Sequence, residues 1–204
     1  MLPRSSARKV VESGKRYGTL LGSGAASGLI ASLALSALML LAERVAGLPV
    51  GTFYIVLVSA VTQATDYGMS AIAQGLMLHL AAGTALGLVM SAPFAVSRRA
   101  YSLLGRFAPG FGLGAGALIW AALFVPVTFG IMMPLLQSHD GQSVISQRAP
   151  DSKLFQVAVS DLLAMMDRVI YTALAFNMLY GLVALILTRS LSGALFGRRK
   201  QVIL

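Results

Sequence analysis

Four long stretches without Asp, Glu, Lys or Arg limit the fold of this 204-residue chain more than any other feature. They cover residues 17–42, 67–97, 107–138 and 169–188. A helix needs roughly 20 apolar residues to cross the hydrocarbon core of a bilayer. Only 11% of all residues are charged, whereas about 25% is usual for soluble domains. These stretches therefore predict membrane-spanning helices.

The predicted fold class is all-α: a polytopic membrane protein with four transmembrane helices in two hairpins and partly helical outer connections. A basic N-terminal segment (1–16) precedes a transmembrane domain (17–190), and a basic tail (191–204) follows it. The predicted spans are TM1 at 18–42, TM2 at 69–96, TM3 at 108–135 and TM4 at 168–189. TM1 is expected to be an uncleaved signal anchor, because its apolar part exceeds the 7–15 residues of a signal-peptide core.

The two outer connections differ in character. A further apolar run at 50–61 would reach only about 18 Å as a helix, short of the roughly 30 Å core, so it predicts an interfacial or re-entrant segment. Residues 137–152 are polar and rich in turn formers, whereas 153–168 are compatible with a helix. This second part is expected to lie on the outer surface or to extend TM4.

The charges predict the orientation. The two termini and the TM2–TM3 connection hold 12 of the 16 basic residues and a single acid, Glu12. By the positive-inside rule, both termini face the cytoplasm of a multi-pass inner-membrane protein. The expected partners of these basic flanks are anionic lipid headgroups rather than nucleic acid, because the charges are divided among short segments beside spans. The candidate headgroup residues are Arg98, Arg99, Arg106, Arg198, Arg199 and Lys200.

The halves of the chain resemble each other. TM1 contains the pair Gly24 and Gly28, and TM3 contains Gly112 and Gly116, each followed by Leu-Ile. TM2 and TM4 each place a polar ring or amide four residues before a glycine, in "LHLAAG" and "FNMLYG". This pattern favours an internal duplication, with chance similarity between Ala/Gly/Leu-rich spans as the alternative.

A stripe of small and polar residues marks one face of TM2. Gly75, His79, Gly83 and Gly87 repeat every four residues, and Gln74 lies beside them. Small residues at this spacing let membrane helices approach closely, so the stripe is expected to face the bundle interior, toward TM1 or TM4. Asn177 and Gly181 form the corresponding polar pair in TM4.

His79 has two interpretations. An ionisable group inside a membrane is a functional-site hypothesis, and here it would serve a proton or a solute. The alternative is a structural hydrogen bond to Asn177, Gln74, Thr84 or a backbone carbonyl. No Asp or Glu is expected within a predicted span, which weighs against a proton relay.

Other chemistry is not expected. The chain lacks cysteine, a phosphate-binding loop, a His-Glu-x-x-His helix and a nucleophile elbow. Methionine pairs at 132–133 and 165–166 could suit copper(I), but they also fit ordinary gap filling. We therefore expect no enzyme, no catalytic residue, no cofactor and no metal. Pro126 is expected to kink TM3, either for packing or to open a cavity.

The segments "GLIASLALSALML", "AGLPVG", "HLAAGTALG" and "MLYGLV" give the chain its one resemblance. It resembles a loose group of small four-span prokaryotic membrane proteins without an established activity. The resemblance implies a fold and a location but no function. In that group TM4 often has a histidine before Tyr-Gly, where this chain has Asn177.

The sequence thus favours a non-enzymatic membrane protein. Its expected role is that of a structural or accessory subunit acting through helix–helix contacts in a homo-oligomer or a larger membrane complex. The alternative is a small transporter or channel component in which His79 and Asn177 line a polar path.

Overall fold

The computed structural model describes residues 4–48, 50–62, 69–138, 143–148, 154–158 and 163–201. Its helices, in chain order, are α1 (Arg4–Val45), α2 (Thr52–Thr62), α3 (Met69–Val96), α4 (Arg98–Ile119), α5 (Val125–Val127), α6 (Met133–Ser138) and α7 (Met166–Gln201). Two π-helical segments, Trp120–Phe124 and Thr128–Met132, flank α5. Two strands, β1 (Ser143–Arg148) and β2 (Leu154–Ala158), precede α7.

Four of the described helical segments are long and apolar enough to cross a membrane. They are Tyr17–Val45, Met69–Val96, Arg99–Met132 and Met166–Leu195. Each has at least 28 residues, more than the roughly 20 that a span requires. The predicted all-α, four-span polytopic fold is confirmed. Beyond these spans, α1 and α7 continue as helix into the basic segments near the two termini.

The end of α1 is a Schellman motif. The amide of Leu48 donates to the carbonyl of Glu43 (2.9 Å), and the amide of Gly47 donates to that of Arg44 (3.2 Å). Gly47 adopts φ 76°, which the motif requires and which favours glycine. The chain then enters α2, whose 11 residues reach about 16 Å and cannot cross the hydrocarbon core.

The third span contains two irregularities. Phe107 has non-helical angles (φ −125°, ψ 21°), so the 98–106 segment is a separate short helix, which Ser97 caps by accepting the Ala100 amide at 3.2 Å. Further along, Pro126 lies between the two π-helical segments. Proline cannot donate to the helical ladder, and π-turns are one way to accommodate that loss.

The second outer connection differs from the helix expected at 153–168. Residues Leu154–Ala158 form β2, which pairs antiparallel with β1 from Arg148↔Leu154 to Ile145↔Val157. The prediction of helix was therefore wrong for this part. Both strands contain β-branched residues, and their pairing satisfies backbone groups that a short isolated helix would leave open. The helical part resumes at Met166.

Contacts divide the chain into two compact units to which every span contributes. Unit 1 comprises Met1–Ser32, Ala81–Gly116 and Met178–Leu204. Unit 2 comprises Leu33–Leu80 and Ala117–Asn177.

Unit 1 is built on two glycine crossings. Where α1 meets α3, a Cβ added to Gly28 would lie 2.9 Å from the Cα of Gly87. Where α4 meets α7, a Cβ added to Gly112 would lie 2.6 Å from the carbonyl oxygen of Gly181. Only glycine permits such approaches, so each hairpin of the expected duplication is closed by the same kind of contact. An apolar cluster of Phe94, Leu104, Ala108 and Leu185 completes this unit.

Unit 2 is built around α2. Ile55 and Val56 of α2 pack with Ala71 of α3 and Met132 of the second π-helical segment. A second cluster joins Met166 to Met133, Leu163, Val169 and Ile170. The indole nitrogen of Trp120 donates to the carbonyl oxygen of Ile170 at 3.2 Å, which ties the first π-helical segment to α7.

Candidate functional site

The predicted stripe on α3 meets two different neighbours. In unit 1, Gly83 and Gly87 face α1, where Gly28 lies against both. In unit 2, Gly75 faces α2: a Cβ there would lie 2.5 Å from the carbonyl oxygen of Tyr54. The polar member of the stripe, His79, belongs to the part of α3 that packs against α2. That short helix was not among the neighbours expected from the sequence.

His79 packs between aromatic rings. Its imidazole lies edge-on to Phe53 and Tyr54 of α2, with ring centroids 6.5 and 6.0 Å away. Its Nε2 is buried and has no hydrogen-bond partner among the described residues. The hydrogen bond expected from the sequence is therefore not made by this nitrogen.

The other predicted polar residues lie elsewhere. Asn177 donates to the carbonyl oxygen of Ala173, one turn earlier in its own helix (2.8 Å), and Gln74 is exposed. Gly181, the partner of Asn177 in the predicted pair, belongs to the α4–α7 crossing. The structure does not bring Asn177 and His79 together in a hydrogen bond.

A buried carboxylate was missed. The predicted end of TM1 at residue 42 left Glu43 in the connection, but α1 continues to Val45 and Glu43 is only 8% exposed. The expectation that no Asp or Glu lies within a span is therefore wrong, since the first span runs to Val45. The available signal was the positions of Gly47 and Gly51, which predict a turn after residue 45 rather than before it.

Glu43 holds the start of α2. One carboxylate oxygen accepts the amide of Gly51 and the other accepts the amide of Phe53, both at 2.6 Å. The first amides of a helix have no partner within the helix and carry its positive end, so a carboxylate suits them. Gly51 has φ 93° and lies against Ile72, which allows the chain to turn into α2 close to α3.

Tyr54 brings a third titratable group to this region. Its side chain is 1% exposed, and its hydroxyl lies near Ser36 and the Glu43 carboxylate. Burial raises the pKa of the Tyr54 hydroxyl, a hydrogen bond with the Ser36 side chain lowers it, and the negative charge of Glu43 raises it, so the net shift is upward. We call Glu43, Tyr54 and His79 the Glu43 site.

Most polar side chains of unit 1 are satisfied locally. Ser27 donates to the Ser23 carbonyl (2.6 Å), and Thr188 donates to that of Ala184 (2.8 Å). Such bonds to the preceding turn hide a hydroxyl within its own helix. Tyr180 differs from these residues, because its hydroxyl donates to the backbone carbonyl of Gly83 in another helix.

The basic candidates are only partly described. Arg99 and Arg106 are exposed on the short helix at the start of α4, whose Leu104 is fully buried. The guanidinium of Arg106 stacks over the ring of Phe107, with 5.4 Å from Cζ to the ring centroid. The side chains of Arg98, Arg198, Arg199 and Lys200 lie outside the described set. Headgroup binding by these residues stays a prediction.

Three of the four methionines in the two pairs pack in apolar clusters. Met132 is buried beside α2, and Met166 packs against Met133. His139 and Asp140, the other residues considered for copper, lie outside the described residues. Within the described part of the chain, no group of three or more His, Cys, Asp or Glu side chains could hold a metal ion.

No family model, curated protein or solved structure matches this chain.

Proposed function

We propose that the chain is a non-enzymatic, structural or accessory membrane subunit that acts through helix–helix contacts in a homo-oligomer or a larger complex. The observation that carries this proposal is a set of exposed glycines on the spans. Gly18 and Gly22 of α1 and Gly110 and Gly114 of α4 are exposed, and a Cβ added to any of them would meet nothing within 4 Å.

These glycines lie on a different face from the internal crossings. Gly22 precedes Gly24 by two positions, and Gly110 and Gly114 flank Gly112 at two positions, so these three exposed glycines lie nearly opposite a packed one. The two hairpins therefore present the same arrangement: one face closed internally and one face left open. In lipid, small residues favour association because they let backbones approach, and not because they are apolar.

An exposed glycine has no benefit within the monomer. Glycine in a helix interior is less favourable than alanine by about 1 kcal/mol. A second helix docked on the open face of α1 or α4 would offset this cost through close packing. A second copy of the chain or a partner span with small residues could supply it.

Orientation and location form part of the proposal. The described spans support a multi-pass membrane protein. The positive-inside distribution supports cytoplasmic termini in an inner membrane, with anionic headgroups along the basic flanks. The resemblance to small four-span prokaryotic proteins is consistent with this placement and adds no activity.

Leucine substitutions on the open faces test the function. Gly22→Leu and Gly114→Leu should abolish an oligomer, or the retention of a membrane partner, when the protein is purified in mild detergent and studied by native mass spectrometry. The matched control is Ala34→Leu, at an exposed position of α1 outside the glycine face. A wild-type protein that is a lone monomer in native membranes would contradict the proposal. Variants that associate as wild type does would also contradict it.

A transporter or channel component is the second candidate. Buried polar groups in unit 2 favour it, above all the unpartnered His79 Nε2 and the Tyr54 hydroxyl. His79→Ala should then abolish a solute or ion flux measured in proteoliposomes. If this variant lowers only the melting temperature, His79 is a packing residue. Asn177 supports a polar path less than His79 does, because its side-chain amide donates to the Ala173 carbonyl of its own helix.

A further inference from the structure

The Glu43 site combines a buried acid with two buried atoms that can accept a hydrogen bond. The Glu43 carboxylate already accepts two amides of α2 at 2.6 Å. The Tyr54 hydroxyl lies near it, and the His79 ring packs on Tyr54 at 6.0 Å. The His79 Nε2 is buried without a hydrogen-bond partner among the described residues, and the buried Tyr54 hydroxyl lies beside the Ser36 side chain. Buried polar atoms are rarely left unsatisfied, so the Nε2 of His79 calls for an explanation.

We propose that the Glu43 site binds a proton at the Glu43 carboxylate, with Tyr54 and His79 as the acceptors that keep the resulting buried acid hydrogen-bonded. A hydronium ion of bulk water is the proton donor: one of its O–H bonds breaks, one O–H bond forms on a carboxylate oxygen, and a water molecule is released. The negative charge of the carboxylate is thereby neutralised.

Each protonation state has its own set of hydrogen bonds. The ionised carboxylate is satisfied by the amides of Gly51 and Phe53. The protonated acid gains a donor, which needs an acceptor, and the nearby Tyr54 oxygen has free lone pairs. Tyr54 can then turn its own proton toward the neutral Nε2 of His79, directly or through one internal water. In the structure, His79 Nε2 has no hydrogen-bond partner among the described residues, so it is available as an acceptor.

The surroundings leave this charge free to change. Among the described residues, no basic side chain pairs with Glu43, and Arg44, next along α1, is exposed. The packed elements bring Tyr54 from α2 and His79 from α3 as titratable groups. The second π-helical segment contributes the neutral Met132 to the cluster around α2. A buried carboxylate is protonated more readily when no counter-ion is present, because a counter-ion would stabilise its charged form.

Proton binding would loosen α2. A protonated oxygen is a poorer acceptor than a carboxylate, and hydrogen bonds to charged groups are roughly twice as strong as neutral ones. Protonation therefore weakens the bonds to the Gly51 and Phe53 amides. Proton binding at Glu43 is a property beyond the accessory role, and its titration can be measured whether or not the protein forms an oligomer.

The chain offers a clean test because Glu12 and Glu43 are its two glutamates. In a Glu12→Gln protein labelled with ¹³C-glutamate and reconstituted in nanodiscs, one side-chain carboxyl resonance remains. It should shift between about pH 4 and pH 9, with the Gly51 and Phe53 amides shifting at the same midpoint. Tyr54→Phe removes an acceptor from the protonated form and should weaken proton binding about two- to tenfold. Tyr171→Phe, at an exposed position, should leave the midpoint unchanged.

Two outcomes would overturn the proposal. One is a carboxyl resonance that stays constant while the protein remains folded, which would make Glu43 a permanently ionised cap. The other is a midpoint that Tyr54→Phe does not move. Glu43→Gln should remove the titrating signal, and the labelled Glu12→Gln protein decides alone if that variant does not fold.

Discussion

The hydroxyl of Tyr180 in α7 donates a hydrogen bond to the backbone carbonyl of Gly83 in α3. Gly83 belongs to the crossing of α1 and α3, while α7 crosses α4 one residue later, at Gly181. This bond therefore links the two glycine crossings of unit 1.

Tyr180→Phe should destabilise the protein by about 0.6–1.7 kcal/mol, the usual range for an interhelical hydrogen bond in a membrane. The free energy of unfolding in bicelles, measured by steric trapping, is the appropriate readout. Tyr171→Phe is the matched control, because Tyr171 is 73% exposed and its loss should cost less than about 0.5 kcal/mol. Equal effects of both substitutions would show that the bond contributes nothing.

Alanine at the glycine crossings should be costly in both hairpins. Gly28→Ala and Gly181→Ala place a Cβ within 2.9 Å of the Gly87 Cα and 2.8 Å of the Gly116 amide nitrogen, respectively. Overpacking of this kind costs about 1–3 kcal/mol, again measured as unfolding free energy.

The controls for this prediction are Gly193→Ala in α7 and Gly14→Ala in the basic segment of α1, where the added methyl group meets open space outside the proposed association faces. They should be neutral or stabilising by up to about 1 kcal/mol through helix propensity. If Gly28→Ala is costly and Gly181→Ala is not, the hairpins do not share the same crossing and the duplication loses its structural support.

Sequence patterns were sufficient for the spans but not for their neighbours. A long apolar stretch indicates that the helix is surrounded by lipid, because lipid tolerates few charges. The four spans could be predicted from that constraint. The stripe from Gly75 to Gly87 identified a packing face on α3. It named α1 as a possible neighbour, which Gly83 and Gly87 do meet, but it did not reveal that Gly75 packs against the short helix α2.

Glu43 and β2 show where pattern reasoning fails. A charged residue at the edge of an apolar stretch is normally expected to lie in water. The structure shows instead that the Glu43 carboxylate accepts hydrogen bonds from two amides, eight and ten residues later. Residues 154–158 have no strong periodicity, so their strand depends on pairing with β1, a non-local contact. Helix-compatible composition could not reveal that partner.

Glu43→Ala should release the start of α2. Two buried amides lose a charged acceptor, and each such bond is worth about 1.5–3 kcal/mol. Hydrogen exchange at the amides of Gly51 and Phe53 should accelerate, with a matching fall in unfolding free energy. Asp167→Ala removes an exposed acid from the first turn of α7 and should cost less than about 1 kcal/mol. Unchanged exchange at Gly51 would mean that the carboxylate does not hold α2.

Substitutions of His79 separate packing from polarity. His79→Phe keeps an aromatic ring beside Phe53 and Tyr54 and removes an unpartnered buried nitrogen, so stability should be unchanged or higher. His79→Ala loses the ring contacts and should cost about 1–3 kcal/mol by the same unfolding assay. If Phe is as harmful as Ala, the nitrogen has an essential partner in the membrane.

Pro126→Ala should convert the flanking π-turns to regular α-helix. Spin labels at the exposed positions Leu118 and Ile131 would then move apart, toward the backbone separation of about 20 Å expected for 13 residues of α-helix. The chain has no cysteine, so paired cysteine substitutions can be labelled selectively. Pro134→Ala, beyond the label pair, should leave this distance unchanged. A constant distance in Pro126→Ala would show that the π-turns have another cause.

The double role of Glu43 has a consequence for biogenesis. Its backbone carbonyl closes the Schellman motif, and its carboxylate accepts hydrogen bonds from the amides of Gly51 and Phe53 at the start of α2. In a nascent chain that ends before residue 53, the carboxylate therefore lacks the Phe53 amide. Until α2 emerges from the ribosome, the end of α1 must keep that carboxylate in contact with water or headgroups. The Glu43 carboxylate therefore gains both of its ligands only after the start of α2 has been synthesised, so the end of α1 and the start of α2 are expected to fold as one unit.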